Sequence, residues 1–122
     1  MGTHSKKNIL IVEDDLKLNN GIRLALKGPE YDCIQCDCVS SGREAVQKEN
    51  IHLILLDINL PDGNGLDWLT EIRQKSAVPV ILISANNMEM DIVTGLKLGA
   101  NDYITKPFSL MVLRARIEVQ LR

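Results

Sequence analysis

Asp57 closes the apolar run Ile51-His52-Leu53-Ile54-Leu55-Leu56, and three further apolar runs also end on groups able to do chemistry. Glu13 and Asp14 follow Asn8-Ile9-Leu10-Ile11-Val12, Ser84 and Ala85 follow Val80-Ile81-Leu82-Ile83, and Lys106 follows Asp102-Tyr103-Ile104-Thr105. Neighbouring carboxylates repel one another unless a cation sits among them, and an all-oxygen donor set favours a hard ion such as Mg²⁺, for which Mn²⁺ can substitute. Lys106 adds a compact positive charge and Ser84 a hydroxyl donor, the pair that suits the oxygens of a phosphoryl group. An aspartate is a poor nucleophile in water, but it forms an acyl phosphate when the incoming phosphorus is polarised and held in line. Asp57 is the candidate nucleophile. Each residue also has a plainer role: Asp57 as a turn cap, Glu13 to Asp15 as a solvated turn opening a helix, Ser84 as a loop serine, Lys106 as a surface cation. It is their joint placement at successive strand ends that favours a site.

The elements that must position these groups are legible in outline. Continuous apolar, β-branched runs read as strands buried on both faces, and the carboxyl edge of an open α/β sheet is where such folds bind and react. From Asp15 to about Lys27, Leu18, Ile22 and Ala25 recur at helical spacing until Gly28-Pro29 stops the helix. A second strand is expected from about Cys33 to Val39, with Ser40 or Ser41 capping a helix that runs through Lys48. After the Pro61-Asp62-Gly63 turn, Leu66, Leu69 and Ile72 mark a third helix. Pro79 opens a fourth strand, a helix from about Met88 to Leu98 is closed by Gly99, a short strand covers Asp102 to Thr105, and a last helix runs from Ser109 to the end. Five strands alternating with five helices specify an α/β fold, a parallel sheet covered on both faces by right-handed crossovers.

With 122 residues, 45% of them hydrophobic, and a formal charge of −2, the chain is the size of one domain with a proper core. Residues 1–7 read as a polar leader or expression remnant, and the domain as 8–122. No apolar run approaches the ~20 residues that span a bilayer and no signal-peptide pattern opens the chain, so no membrane association and a cytoplasmic location are expected. The near-neutral charge argues against this domain gripping nucleic acid by itself. Cys33, Cys36 and Cys38 are odd in number and lack an obvious fourth ligand, so they read as buried small hydrophobes rather than a metal site.

Val12-Glu13-Asp14-Asp15, Leu55-Leu56-Asp57-Ile58-Asn59-Leu60-Pro61, Ile83-Ser84-Ala85 and Asp102-Tyr103-Ile104-Thr105-Lys106-Pro107-Phe108 resemble the receiver domains of bacterial two-component response regulators. The resemblance covers residues 8 to 122. It implies a flavodoxin-like (βα)5 three-layer sandwich whose five-stranded sheet has the order 2-1-3-4-5. It further implies that Asp57 is the phosphoacceptor, served by a sensor histidine kinase, with only weak self-catalysed phosphotransfer and autodephosphorylation rather than an enzyme's turnover. By the same resemblance Asp14, Asp57 and the backbone carbonyl of Asn59 bind Mg²⁺ directly, and Glu13 reaches it mainly through water. Ser84, with Ala85 beside it, and Lys106 would hold the phosphoryl oxygens, while Tyr103 turns inward as Ser84 is drawn to the phosphate. The Lys106-Pro107 bond resembles the family's cis peptide. Asn59 and Asn86 fall at two variable positions flanking the pocket, where their amides could orient an attacking water.

On the last helix Leu110, Leu113, Ile117 and Leu121 form one apolar stripe, and Val112, Ala115 and Val119 form a second nearly opposite. A surface helix has no structural need of two apolar faces, so the second suggests a partner. Residues 91–103 resemble the subfamily, OmpR/PhoB-type, whose receivers precede a winged-helix DNA-binding domain. That resemblance implies a homodimer through the fourth helix, fifth strand and fifth helix, with Ile92, Leu96, Asp102, Val112, Ala115, Arg116 and Val119 on the dimer face. It also implies DNA contact only through a C-terminal effector domain outside this chain. Ile92 and Val112 depart from the basic residue and the Glu common there, and Asn101 from a common Asp. Three other readings are a stand-alone receiver or phosphorelay protein, a phosphohydrolase with an aspartyl nucleophile, and a flavin-binding electron carrier. The phosphohydrolase would want an acid where Asn59 stands, and the flavin carrier a phosphate loop after the first strand that this sequence lacks.

Overall fold

The computed structural model describes residues 6–122, so most of the expected leader lies outside the described residues. Five strands, β1 (Lys7–Val12), β2 (Tyr31–Cys36), β3 (Leu53–Asp57), β4 (Val80–Ser84) and β5 (Asp102–Thr105), form one sheet of order β2-β1-β3-β4-β5. Every pairing is parallel. Four helices connect them, α1 (Leu16–Leu26), α2 (Val39–Lys48), α3 (Gly65–Arg73) and α4 (Glu89–Lys97), and α5 (Leu110–Gln120) follows the last strand. This is the flavodoxin-like α/β sandwich that the alternation of runs predicts. Lys7 already pairs with Tyr31, one residue ahead of the expected start.

Side chains of successive strand residues point to opposite faces, which splits the interior into two cores. Ile9, Ile11, Leu53, Leu55, Ile81, Ile83 and Ile104 pack under α1 and α5, against Ile22, Leu26, Leu113 and Ile117. Leu10, Val12, Ile54, Leu56, Val80, Leu82 and Tyr103 face the other layer, where α3 supplies Trp68, Leu69 and Ile72. All five residues of β3 and of β4 are buried, which explains why these strands read as unbroken apolar runs.

Four local expectations need correction. The second strand ends at Cys36 rather than Val39, because Cys38 is already the cap position of α2 and Val39 its first residue. Neither Ser40 nor Ser41 therefore caps α2, and the Cys38 side chain makes no capping bond. On α1 the buried face is Asn19, Ile22 and Leu26, not Ala25, and on α5 Leu110 is 36% exposed in the first turn while Leu113 and Ile117 carry the core contact. Cys33, Cys36 and Cys38 are free and only half-buried, with burial pushing the Cys33 and Cys36 thiols above their ordinary range. Cys33 packs on the α1/α5 core and Cys36 on the opposite one. Among the described residues no helix is long and apolar enough to cross a membrane.

Candidate metal and phosphoacceptor site

Strand register gathers the reactive groups. Val12 pairs with Leu56, which sets Glu13 level with Asp57, and Asp57 pairs with Ile83, one residue before Ser84. Ser84 pairs with Thr105, and the Lys106 N–H donates to the Ser84 carbonyl at 2.8 Å. Four strand ends thus meet at the carboxyl edge of the sheet.

The first of these ends is held by a residue that sequence reading missed. Asn19 is 2% exposed, and its amide donates to the carbonyls of Glu13 and Cys36, both at 3.0 Å, while its oxygen accepts from Gln35. The signal was available: a polar residue four positions after the N-cap Asp15, on the helix face that carries Ile22. Asp15 in turn accepts from the N–H groups of Lys17 and Leu18, fixing the start of α1. The Glu13 and Asp14 backbone is therefore pinned from both β2 and α1.

Lys106 Nζ stands 2.7 Å from Glu13 Oε1 and 3.2 Å from Asp57 Oδ2. Asp57 Oδ1 accepts from the Asn59 N–H at 3.2 Å, and Glu13 Oε2 from the Asp15 N–H at 3.1 Å. Two buried carboxylates share one ammonium, and the partners fare differently. Burial raises the Glu13 carboxyl above its ordinary range, with Lys106 and the Asp15 N–H opposing and the nearby Asp57 charge adding to the rise. Burial works against the Lys106 charge, yet contact with Glu13 and Asp57 outweighs it and holds the ammonium above its usual range. The lysine gains from two anions, whereas Glu13 bears desolvation and repulsion against a single shared cation.

One oxygen each from Glu13, Asp14 and Asp57 lies within 4.8 Å of the others. Glu13 Oε1 is buried, and its close partner is the Lys106 ammonium at 2.7 Å. A hard divalent cation gathers several carboxylate and carbonyl oxygens around itself, so this cluster of three carboxylates, with one lysine to offset them, is able to coordinate one. Asp14 is exposed and open to water, while Glu13 and Asp57 lie beneath it.

Ser84 is fully buried, and its Oγ accepts from the Asn86 N–H at 3.0 Å; the Tyr103 hydroxyl donates to the Asn86 carbonyl at 2.8 Å. One residue, Asn86, therefore ties Ser84 to Tyr103 through its main chain, with the Tyr103 ring packed inward at 8% exposure. Ala85 is exposed between them, and the Lys106–Pro107 peptide is cis. Tyr103→Phe deletes the tie without opening a cavity, and its expected cost is about 1 kcal/mol in urea unfolding. An unchanged midpoint would show the Asn86 contact to be idle.

The residues named for a dimer face lie together on α4, β5 and α5. Leu96, Val112 and Val119 are roughly half exposed, and Asp102, Val112, Ala115, Arg116 and Val119 line one shallow apolar groove. Ile92 is half-buried against the core, and Arg116 pairs with Asp102 of its own chain at 3.0 Å.

An α/β domain of this strand order, with three carboxylates and an ion-paired lysine at its carboxyl edge, defines a signalling module of the receiver class. The chain belongs to the response regulator receiver domain family, whose model matches residues 9–118. It is 40% identical over 115 residues to the KDP operon transcriptional regulatory protein KdpE of Escherichia coli K12, covering 94% of this chain and 51% of that protein. It is likewise 40% identical over 114 residues to the regulatory protein VanR of Enterococcus faecium, covering 93% and 49%. The chain thus spans about half the length of these curated relatives. Among solved structures it resembles the BeF3-activated N-terminal receiver domain of Klebsiella pneumoniae RstA, with a TM-score of 0.89 and 30% identity over 95% of this chain and 99% of that one. A two-component response regulator from Clostridium difficile gives a TM-score of 0.91 at 25% identity, covering 96% and 97%.

Proposed function

We propose that Asp57 accepts a phosphoryl group from a sensor histidine kinase, with Mg²⁺ held by Asp14, Asp57 and the Asn59 carbonyl and reached by Glu13 mainly through water. The observation that carries this reading is the Glu13–Lys106–Asp57 arrangement, in which a buried carboxylate with one oxygen directed by Asn59 keeps the other beside an ammonium. The bound ion supplies charge neutralisation for an incoming phosphoryl oxygen. The Asn59 N–H directs one oxygen of Asp57, and Lys106 and the Ser84 hydroxyl would meet the charge on the transferred group. The module is a phosphoacceptor and not an enzyme with turnover; its output is binding.

Ser84 transmits the event. Drawing its hydroxyl toward a phosphate competes with the Asn86 N–H bond, and Asn86 also holds Tyr103, so the loop before α4 and the aromatic ring shift together. This reading extends to homodimerisation through α4, β5 and α5, where the apolar groove beside Val112 and Val119 faces outward. The half-length match to the transcriptional regulatory protein KdpE supports a C-terminal DNA-binding output, and a cytoplasmic location follows from that role. Leu16, Met88, Met90 and Met111, all at least 67% exposed, begin or precede the helices that ring the acidic edge. Adaptable apolar side chains around a buried nucleophile suit docking of a kinase that must bring its phosphohistidine close.

Beryllofluoride with Mg²⁺ tests this reading, because it mimics an aspartyl phosphate without a donor enzyme. The expected result is a raised unfolding temperature and a shift to dimer on size exclusion for wild type, and neither for Asp57→Ala. A response equal in both proteins contradicts the assignment.

A further inference from the structure

The loop from Asp57 to Gly65 carries two groups that the site uses, the Asn59 N–H on Asp57 and the Asn59 carbonyl. It is short and braced: Asn59 pairs with Asn64 and Leu60 with Gly63 in a two-residue antiparallel ladder, and the Gly65 N–H donates to the Ile58 carbonyl at 2.7 Å. Its tip is Asp62, whose carboxylate bonds the start of α2. Asp62 Oδ1 accepts from the Val39 N–H at 2.8 Å and Oδ2 from the Ser40 N–H at 3.0 Å. These are orphan donors at the start of α2, whose own cap residue Cys38 leaves them unbonded. Those two bonds hold the Asp62 carboxyl below its ordinary range.

The tether has a rigid anchor. Val39 is buried in the second core, and Gly42 lies so close to the Trp68 ring and Val12 that α2 has little room to shift. Val12 immediately precedes Glu13. The tip of the Asn59 loop and the strand that delivers Glu13 are therefore referenced to the same helix end.

We propose that Asp62 is a positioning residue for the metal and phosphoacceptor site, holding Asn59 in register with Asp57 and Glu13 by capping α2 from across the fold. This rests on the metal-binding reading given above. Asp62 touches neither the ion nor the reacting atoms; it acts through Asn59. Residues that hydrogen-bond metal ligands directly typically change affinity by about 10- to 100-fold when removed, and Asp62 acts a step further out, through the ladder that holds Asn59, so the low end applies. Asp62→Ala is accordingly expected to weaken Mg²⁺ binding about tenfold and to raise, by the same factor, the Mg²⁺ concentration that half-saturates labelling by acetyl phosphate. Asp62→Asn keeps one acceptor oxygen and should fall between.

A helix cap also stabilises the fold, so the test must separate stability from position. Cys38→Ser places a strong capping side chain at α2's own cap position. In the double variant Asp62→Ala with Cys38→Ser, the unfolding temperature should return toward wild type while Mg²⁺ affinity, read by calorimetry, and labelling remain weak. Mg²⁺ affinity unchanged in Asp62→Ala, or restored by Cys38→Ser, would overturn the proposal. Wild-type protein that binds Mg²⁺ but takes no phosphoryl group would defeat the phosphoacceptor reading and leave Asp62 to be judged on calorimetry. Wild type that binds no Mg²⁺ would defeat both.

Discussion

Gly65→Ala is expected to lower stability by about 3 kcal/mol, equivalent to a fall of roughly 10 °C in unfolding temperature, despite alanine's better helix propensity. Gly65 is the first residue of α3, and a Cβ there would run into the Asp57 carbonyl oxygen and come within 2.9 Å of the Ile58 Cα. Both obstacles are backbone, one at the end of a strand buried on every residue and the other in the buried residue that follows it, so neither can swing aside. Relief requires α3 to back away, which stretches the 2.7 Å bond from Gly65 N–H to the Ile58 carbonyl and drags on the loop that carries Asn59. Loss of stability should therefore come with loss of Mg²⁺ response. Thermal unfolding with and without Mg²⁺ checks both; a variant as stable as wild type would show that the close approach is not rigid.

Lys106→Met should destabilise the Mg²⁺-free domain by about 2 kcal/mol, less than the ~3–5 kcal/mol for breaking a fully buried ion pair because a quarter of the lysine side chain reaches solvent. Glu13 and Asp57 are left without their shared cation, and Glu13, already raised by burial, relieves part of the cost by taking a proton. Glu13→Gln removes one of the two competing carboxylates, so it should leave the Mg²⁺-free domain at least as stable as wild type. The two variants therefore differ in sign. Mg²⁺ should recover more stability in Lys106→Met than in wild type, since the ion replaces the missing positive charge, and should recover little in Glu13→Gln. Urea unfolding of the three proteins, each with and without Mg²⁺, measures this directly. Equal Mg²⁺ increments in all three would mean that the ion binds elsewhere. The site is thus one where folding is strained to keep charge available for binding.

Much of this arrangement was legible in the sequence for a specific reason. Strands buried on both faces must be apolar throughout, so the first charged or hydroxylated residue after each run marks the sheet edge. Glu13, Asp57 and Ser84 stand out for that reason alone, whereas Lys106 follows a short strand of mixed polarity and is marked by its place at the next strand end. What was not legible depends on contacts across the fold. The start of α2 looked like a serine cap, because local hydrogen bonding favours Ser40 or Ser41, but Asp62 from 23 positions away takes the Val39 N–H instead. Asn19 sits on an otherwise apolar helix face, and its role in pinning Glu13 appears only once β2 is beside β1. The tie from Ser84 through Asn86 to Tyr103 runs through main-chain atoms of Asn86, to which side-chain patterns are blind. On α5 the two apolar stripes were visible, yet only packing shows that Leu110 is partly solvent-facing and that Arg116 already holds Asp102.

Intact-protein mass spectrometry after incubation with acetyl phosphate and Mg²⁺ tests the central claim most directly. Wild type should gain one acid-labile phosphoryl group that requires Mg²⁺, and Asp57→Asn should gain none, while both remain folded. No adduct on wild type, or an equal adduct on Asp57→Asn, would contradict the assignment of Asp57 as the phosphoacceptor.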